Sequence, residues 1–213
     1  HDRSKVGHLE GEKVEILKLH TIHGPNVYHN RPVICMKLDL KEWVETASNE
    51  IPNFNRKLLE LFPGLQKHTC SPGYEGGFCE RLERGTYMAH ITEHIAIEMA
   101  NMCGMDVAYG KSKYAGAPGH YFVVTRFINE EAMKECLRCA VKTLKAILSH
   151  QKIDITSDLE NIKDIYASTK LGPSGNAIYQ AALKRGIPVT RVGSNSLLNL
   201  GTGKYRKRVQ AAV

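Results

Sequence analysis

The segment TYMAHITEHIAIEMANMC occupies residues 86–103 and is followed by Gly104. Met88, Ile91, Ile95, Met99 and Met102 recur at three- and four-residue spacing, the period of an amphipathic helix. Gly104 supplies the C-terminal stop. At about 100° per residue these five side chains share one stripe, which should face a core. His90, Glu93 and His94 fall on the opposite half, with Asn101 near them. They spell H-x-x-E-H, the inverted zinc-peptidase motif. Helical residues four apart have Cβ atoms about 5–6 Å apart. Two imidazoles at that spacing can converge on one ion at about 2.0–2.1 Å per bond. Glu93 lies on the same side and can reach a water there without being a ligand. The helix therefore reads as presenting a polar face to a cleft.

Upstream of it, Lys13 to Thr21 and Val33 to Leu38 read as strands, separated by Gly24-Pro25-Asn26. Asp39 caps a short helix over 41–46, and a second helix spans 53–62 until Pro63-Gly64 stops it. Residues 69–78 are Gly-rich and read as a loop. Downstream, strands are predicted near 106–109 and 120–127, joined by a mobile Gly/Lys-rich connection. A long helix follows over 130–149, with Met133, Leu137, Ala140, Val141, Leu144 and Leu148 in helical register. Residues 1–150 thus read as one α+β domain and 151–170 as a connector helix. After Leu171 the grammar changes. Gly172-Pro173-Ser174-Gly175 opens a helix through Lys184, Gly186 ends it, and Ile187 to Val192 is a strand. That order is the grammar of an α/β unit, and 171–213 is too short to complete a domain.

Composition excludes several classes. The chain has 213 residues, 42% of them hydrophobic, and a net charge of +7. A chain of this size buries a core without staples. No apolar run reaches the ~18 residues of a membrane span. The opening His-Asp-Arg-Ser-Lys-Val lacks an apolar signal region, so a cytoplasmic protein is expected, and both ends read as cuts. Four of the basic residues, Lys204, Arg206, Lys207 and Arg208, sit together and read as a solvated helix start. Without them the chain is only mildly basic, and no nucleic-acid partner is expected. The cysteines are scattered at 35, 70, 79, 103, 136 and 139, as suits reduced thiols. Cys136 and Cys139 form a C-x-x-C inside a helical pattern and read as buried small hydrophobes.

A zinc hydrolase needs three protein ligands and one open position. Candidates for the third are Cys70, Cys79, His68, Glu83 and Glu98. Glu98 would put three ligands in one row on a straight helix, where they converge poorly. A loop ligand is better placed, and Cys70 lies in the Gly/Pro-rich loop. Glu93 would then be the base in metal-assisted hydrolysis of an amide bond. Separately, Ser174 is an apt N-cap, and a helix N-terminus attracts carboxylate or phosphate. The loop lacks the full phosphate-binding pattern G-x-x-x-x-G-K-[ST].

Several segments together resemble the cyanophycin synthetase family. They are His23-Gly24-Pro25-Asn26-Val27-Tyr28; Pro63-Gly64-Leu65 with His68-Thr69-Cys70-Ser71 and Gly76-Gly77-Phe78; Gly85-Thr86; and His90 through Glu98. Leu171-Gly172-Pro173-Ser174, Arg185-Gly186-Ile187-Pro188 and Leu200 through Ala211 are similar to that family's join into an ATP-grasp domain. The family usually carries Arg where this chain has His23.

The resemblance implies an α+β amino-terminal domain followed by the first α/β elements of an ATP-grasp domain. It implies a parent ligase, likewise a homo-oligomer, that uses ATP and Mg to polymerise aspartate and arginine on a cyanophycin primer. The nucleotide and magnesium sites would lie beyond Val213. It implies that this region docks the polymer and, in some members, cuts it at a zinc site. Carried over by position, the zinc ligands are Cys70, His90 and His94, with Glu93 as base. Ser174, with Gly175, would bind the substrate's terminal carboxylate. The alternatives are a non-catalytic docking module and a free-standing zinc peptidase.

Overall fold

The computed structural model describes residues 13–169, 172–191 and 197–210. The chain divides into two compact units, one ending at Ile155 and the other beginning at Thr156.

The first unit is built on a four-stranded antiparallel sheet. Its strands are β1 (Glu15–Ile22), β2 (Val33–Asp39), β3 (Gly110–Tyr114) and β4 (His120–Thr125), in the order β1-β2-β4-β3. β2 is central and nearly all buried, as its run Val33-Ile34-Cys35-Met36 requires. Side chains alternate across a strand. Thr21, Ile34, Thr125 and Gly110 pair in one cross-strand row on the face that meets the helices. Val33, Cys35 and Val124 lie on the other face, under Ile22, Tyr28 and Phe122. A bulge between Ile16 and Lys18 leaves Leu17 exposed at the edge.

Four helices complete this unit: α1 (Phe54–Leu61), α2 (Gly77–Arg84), α3 (Met88–Met102) and α4 (Glu130–Leu148). α3 and α4 pack side by side, α3 over β3 and β4 and α4 over β1 and β2. Asn129 caps α4 by accepting from Ala132 N at 2.9 Å. Gly104, at φ 82°, ends the α3 segment. The 3-10 turn that follows α1, Pro63–Lys67, packs against α1 and α2 and also touches α3.

Three readings need correction. The strand placed at 106–109 lies one step further on, at Gly110–Tyr114. Residues 106–109 are a lead-in, with Val107 N donating to Asn101 Oδ1 at 3.2 Å. The segment taken for a mobile connection is the edge strand itself. Its lysines face away from the core, so it carries no apolar run. Residues 77–84 form a helix rather than the end of a loop. α2 is short and buries one side only, through Phe78 and Leu82. α3 has the polar face toward a cleft that the sequence suggests, within a helix that is mostly buried. Twelve of its fifteen residues are buried, including Glu93, His94 and Glu98.

The second unit contains α5 (Thr156–Thr169), α6 (Gly172–Lys184), β5 (Val189–Arg191), β6 (Leu197–Leu200) and β7 (Lys207–Gln210). α5 packs on α6, and α6 on β5 and β6. The expected helix, glycine turn and strand are present; Val192, the end of that predicted strand, lies outside the described residues. The described strands, however, form an antiparallel sheet in the order β5-β6-β7. This unit is therefore α+β in its described residues. The basic cluster forms a short 3-10 turn and the exposed strand β7, not a helix start. Among the described residues no helix is long and apolar enough to cross a membrane.

Candidate metal centre

His90, Glu93, His94, Ile97 and Asn101 recur at helical spacing and line one cavity of about 690 Å³. α3 forms its floor. The loop through Thr69, Cys70 and Ser71 lies against one side of it, and Tyr109 with Gly110 against another. The H-x-x-E-H face therefore opens into an internal cleft, inside a helix that is otherwise core.

Cys70, His90 and His94 converge there. One ligand atom from each lies within 4.8 Å of the others. Cys70 Sγ is 3.1 Å from His90 Nε2, and His94 Nε2 is 3.1 Å from His90 Nε2. Ligands in a zinc tetrahedron, with bonds of about 2.0–2.3 Å, sit about 3.3–3.6 Å apart. The two pairs that share His90 are within a few tenths of an ångström of that spacing, and Cys70 and His94 lie within 4.8 Å of each other. The donor set, one thiol and two imidazoles, suits zinc and leaves one coordination position for a reactant.

Local structure fixes each donor. Cys70 is held in the left-handed region, at φ 53°. A non-glycine residue there is strained by about 1–2 kcal/mol, and such strain concentrates at functional sites. His90 Nδ1 lies 2.8 Å from the buried Thr86 hydroxyl, which occupies the other ring edge and leaves Nε2 facing Cys70. The His94 ring stacks on Phe78 at a centroid distance of 3.9 Å. Its Nδ1 lies 2.8 Å from His68 Nδ1, and His68 Nε2 lies 2.6 Å from Glu98 Oε2.

Burial sets the charge states. It pushes the His90 pKa down to about 4, helped by Arg81. It pushes His94 down to about 2, helped by His90, His68 and Arg81. Both imidazoles are thus neutral at pH 7, the form that ligates metal. Burial raises Glu93 to about 8. The Glu93 carboxyl packs against Gly110, where an added Cβ would lie 2.6 Å from Glu93 Cγ and 2.8 Å from Oε1. Neighbouring Tyr109 donates its hydroxyl to Tyr28 O at 2.6 Å. The loop carrying Tyr28 is organised by Asn26, whose Oδ1 accepts from Tyr28 N and His29 N. The Gly24-Pro25-Asn26 motif thus braces one wall of the cavity, while His23 is exposed.

The other third-ligand candidates are not part of the converging trio, although His68 lines the cavity. Cys79 Sγ points to Leu65 O at 4.0 Å, and Glu83 is exposed. His68 and Glu98 pair with each other behind His94. Their arrangement, the Phe78 stack and the β3 wall were not legible in the sequence. The only signal for the pair was the proximity of His68 to Cys70 and the i+4 step from His94 to Glu98. Cys136 and Cys139 are buried in α4, free of disulfides and outside this cavity. In the second unit α6 begins at Gly172, so exposed Ser174 lies inside the first helical turn rather than ahead of it; Gly175 is buried.

Residues 35–149 match a family model described as the cyanophycin synthase-like N-terminal domain. The chain is 41% identical over 205 residues to proteins named cyanophycin synthetase in Trichormus variabilis and in a Nostoc species. It is 36% identical over the same length to one of that name in a Synechocystis species. These alignments cover 94% of the chain but only 23–24% of those proteins, so the chain spans about a quarter of their length.

Proposed function

The chain belongs to the cyanophycin synthase-like N-terminal domain family, and from that premise we propose that it is the region of a cyanophycin synthetase that binds the polymer and cuts it hydrolytically. The observation that carries the hydrolytic part is the convergence of Cys70, His90 and His94, with Glu93 beside them, in one cavity.

Cys70, His90 and His94 would hold zinc. When bound, zinc supplies a Lewis acid and lowers the pKa of a water toward ~7. The rest falls to the chain's own groups. Glu93 takes the proton of the attacking water and passes it to the leaving amine. Burial raises its pKa to about 8 without a metal, and a cation bound beside it would favour the carboxylate form that acts as base. Among the described residues no hydrogen bond occupies its carboxylate, which is free for a reactant. Lys67, Arg81 and Asp106 also line the cavity, offering both signs of charge to a polymer that carries carboxylates and guanidinium groups.

For the parent enzyme we propose ATP- and Mg-dependent ligation of aspartate and arginine. The second unit would be the start of its ATP-grasp domain, with Ser174 and Gly175 near the substrate's carboxylate. Helix α6 supplies the first-turn amides this requires.

The test is incubation of the purified chain with insoluble cyanophycin. Release of soluble fragments by the wild type and not by Glu93→Gln supports the hydrolytic reading. Polymer binding without release makes this a docking module. Neither binding nor release contradicts both.

A further inference from the structure

Glu98 lies one helical turn beyond His94, where a third ligand in the same row would be expected. Its carboxylate is instead 2.6 Å from His68 Nε2. An ionised carboxylate only accepts hydrogen bonds, so His68 carries its proton on Nε2. A metal held at His94 Nε2 leaves the His94 proton on Nδ1, so His68 would receive it at its own Nδ1 lone pair. In the 2.8 Å contact between His68 Nδ1 and His94 Nδ1, His94 is then the donor. The lone pair of His94 is thereby fixed on Nε2, the atom 3.1 Å from His90 Nε2 in the cavity. His68 and Glu98 side chains are each only 11% exposed, so water competes little with this chain of bonds. Gly64 makes it sterically feasible, because a side chain there would collide with the Glu98 carboxyl.

We propose that His68 and Glu98 are positioning residues: a carboxylate–imidazole pair that sets the tautomer and orientation of His94 as a metal ligand. This rests on the zinc reading above. Partners of this kind typically contribute 10–100-fold in metal affinity. Neither belongs to the Cys70, His90 and His94 group, so both act on the metal through His94.

Zinc affinity measured by competition with a chromophoric chelator separates the possibilities. His68→Ala should bind zinc about 10–100-fold more weakly than wild type. His68→Gln should remain within a few-fold, because its amide oxygen accepts from His94 and its NH2 donates to Glu98. Glu98→Leu should match His68→Ala, and stands in for it should that variant fail to fold. The visible spectrum of the cobalt-substituted chain should change in the Ala and Leu variants and be largely restored in the Gln variant. Wild-type affinity in His68→Ala, or equal losses in the Ala and Gln variants, overturns the proposal while leaving the zinc reading intact. A wild type that takes up no zinc overturns the zinc reading, and this proposal with it.

Discussion

Phe78 and His94 stack face to face, with ring centroids 3.9 Å apart and planes inclined by 18°. Phe78 comes from α2 and is fully buried. It therefore joins the core of the first unit to the orientation of a candidate ligand. Phe78→Ala should cost about 3–5 kcal/mol in urea unfolding, the usual range for a buried aromatic. It should also weaken zinc uptake in the fraction that stays folded. A variant with unchanged zinc affinity would show that the ring fills space without orienting His94.

The contact between Gly110 and Glu93 makes a second prediction. An Ala at 110 would crowd Glu93 Cγ, Oε1 and Ile97 Cδ1. Overpacking of this kind costs about 1–3 kcal/mol. Neither Cys70, His90 nor His94 is touched, so Gly110→Ala should bind zinc as wild type does and lose polymer cleavage. Parallel assays of zinc content and fragment release check this. Loss of zinc together with cleavage would contradict it.

In the metal-free chain the joint contribution of Glu93, His90 and His94 to stability should be greatest near pH 6.5. Glu93 has its pKa raised by burial from 4.5 to about 8. Its contribution is complete below 4.5 and is lost as pH rises toward 8. His90 and His94 are depressed by burial from 6.5, to about 4 and about 2. Their contribution is present above 6.5 and is lost as pH falls. Below 6.5 the two histidines outweigh the single glutamate, so stability falls on that side as well. Between pH 6.5 and 8 Glu93 lowers stability by about 2 kcal/mol and the two histidines return roughly 1 kcal/mol of it, leaving a net decline of about 1 kcal/mol. Denaturant unfolding after chelation should show it in the wild type and not in Glu93→Gln. Equal slopes in the two proteins would contradict the assignment.

Much of this fold and site is local in sequence, which is why it was legible. The α3 period, the α4 stripe and the β2 apolar run each report burial on one chain segment. The H-x-x-E-H spacing places His90 and His94 together by helix geometry alone. What was hidden depends on other segments. β3 reads as a polar linker because an edge strand with one open face needs no apolar run. The polar face of α3 reads as lining a cleft, but the walls of that cleft are not legible, because the loop around Cys70 and the wall at Tyr109 and Gly110 arrive from 20 residues away on each side. Glu98 reads as a possible ligand until Gly64 is seen to make room for it beside His68. The antiparallel order of the second unit depends on pairing among β5, β6 and β7, which helix–turn–strand order does not reveal.

The central claim is that Cys70, His90 and His94 hold one zinc ion. The most direct measurement is metal analysis of the chain purified from zinc-supplemented medium, beside the His90→Ala/His94→Ala double variant. About one equivalent of zinc is expected in the wild type and almost none in the variant, which lacks two of the three protein ligands. Less than about a tenth of an equivalent in the wild type, or equal zinc in both, would contradict it.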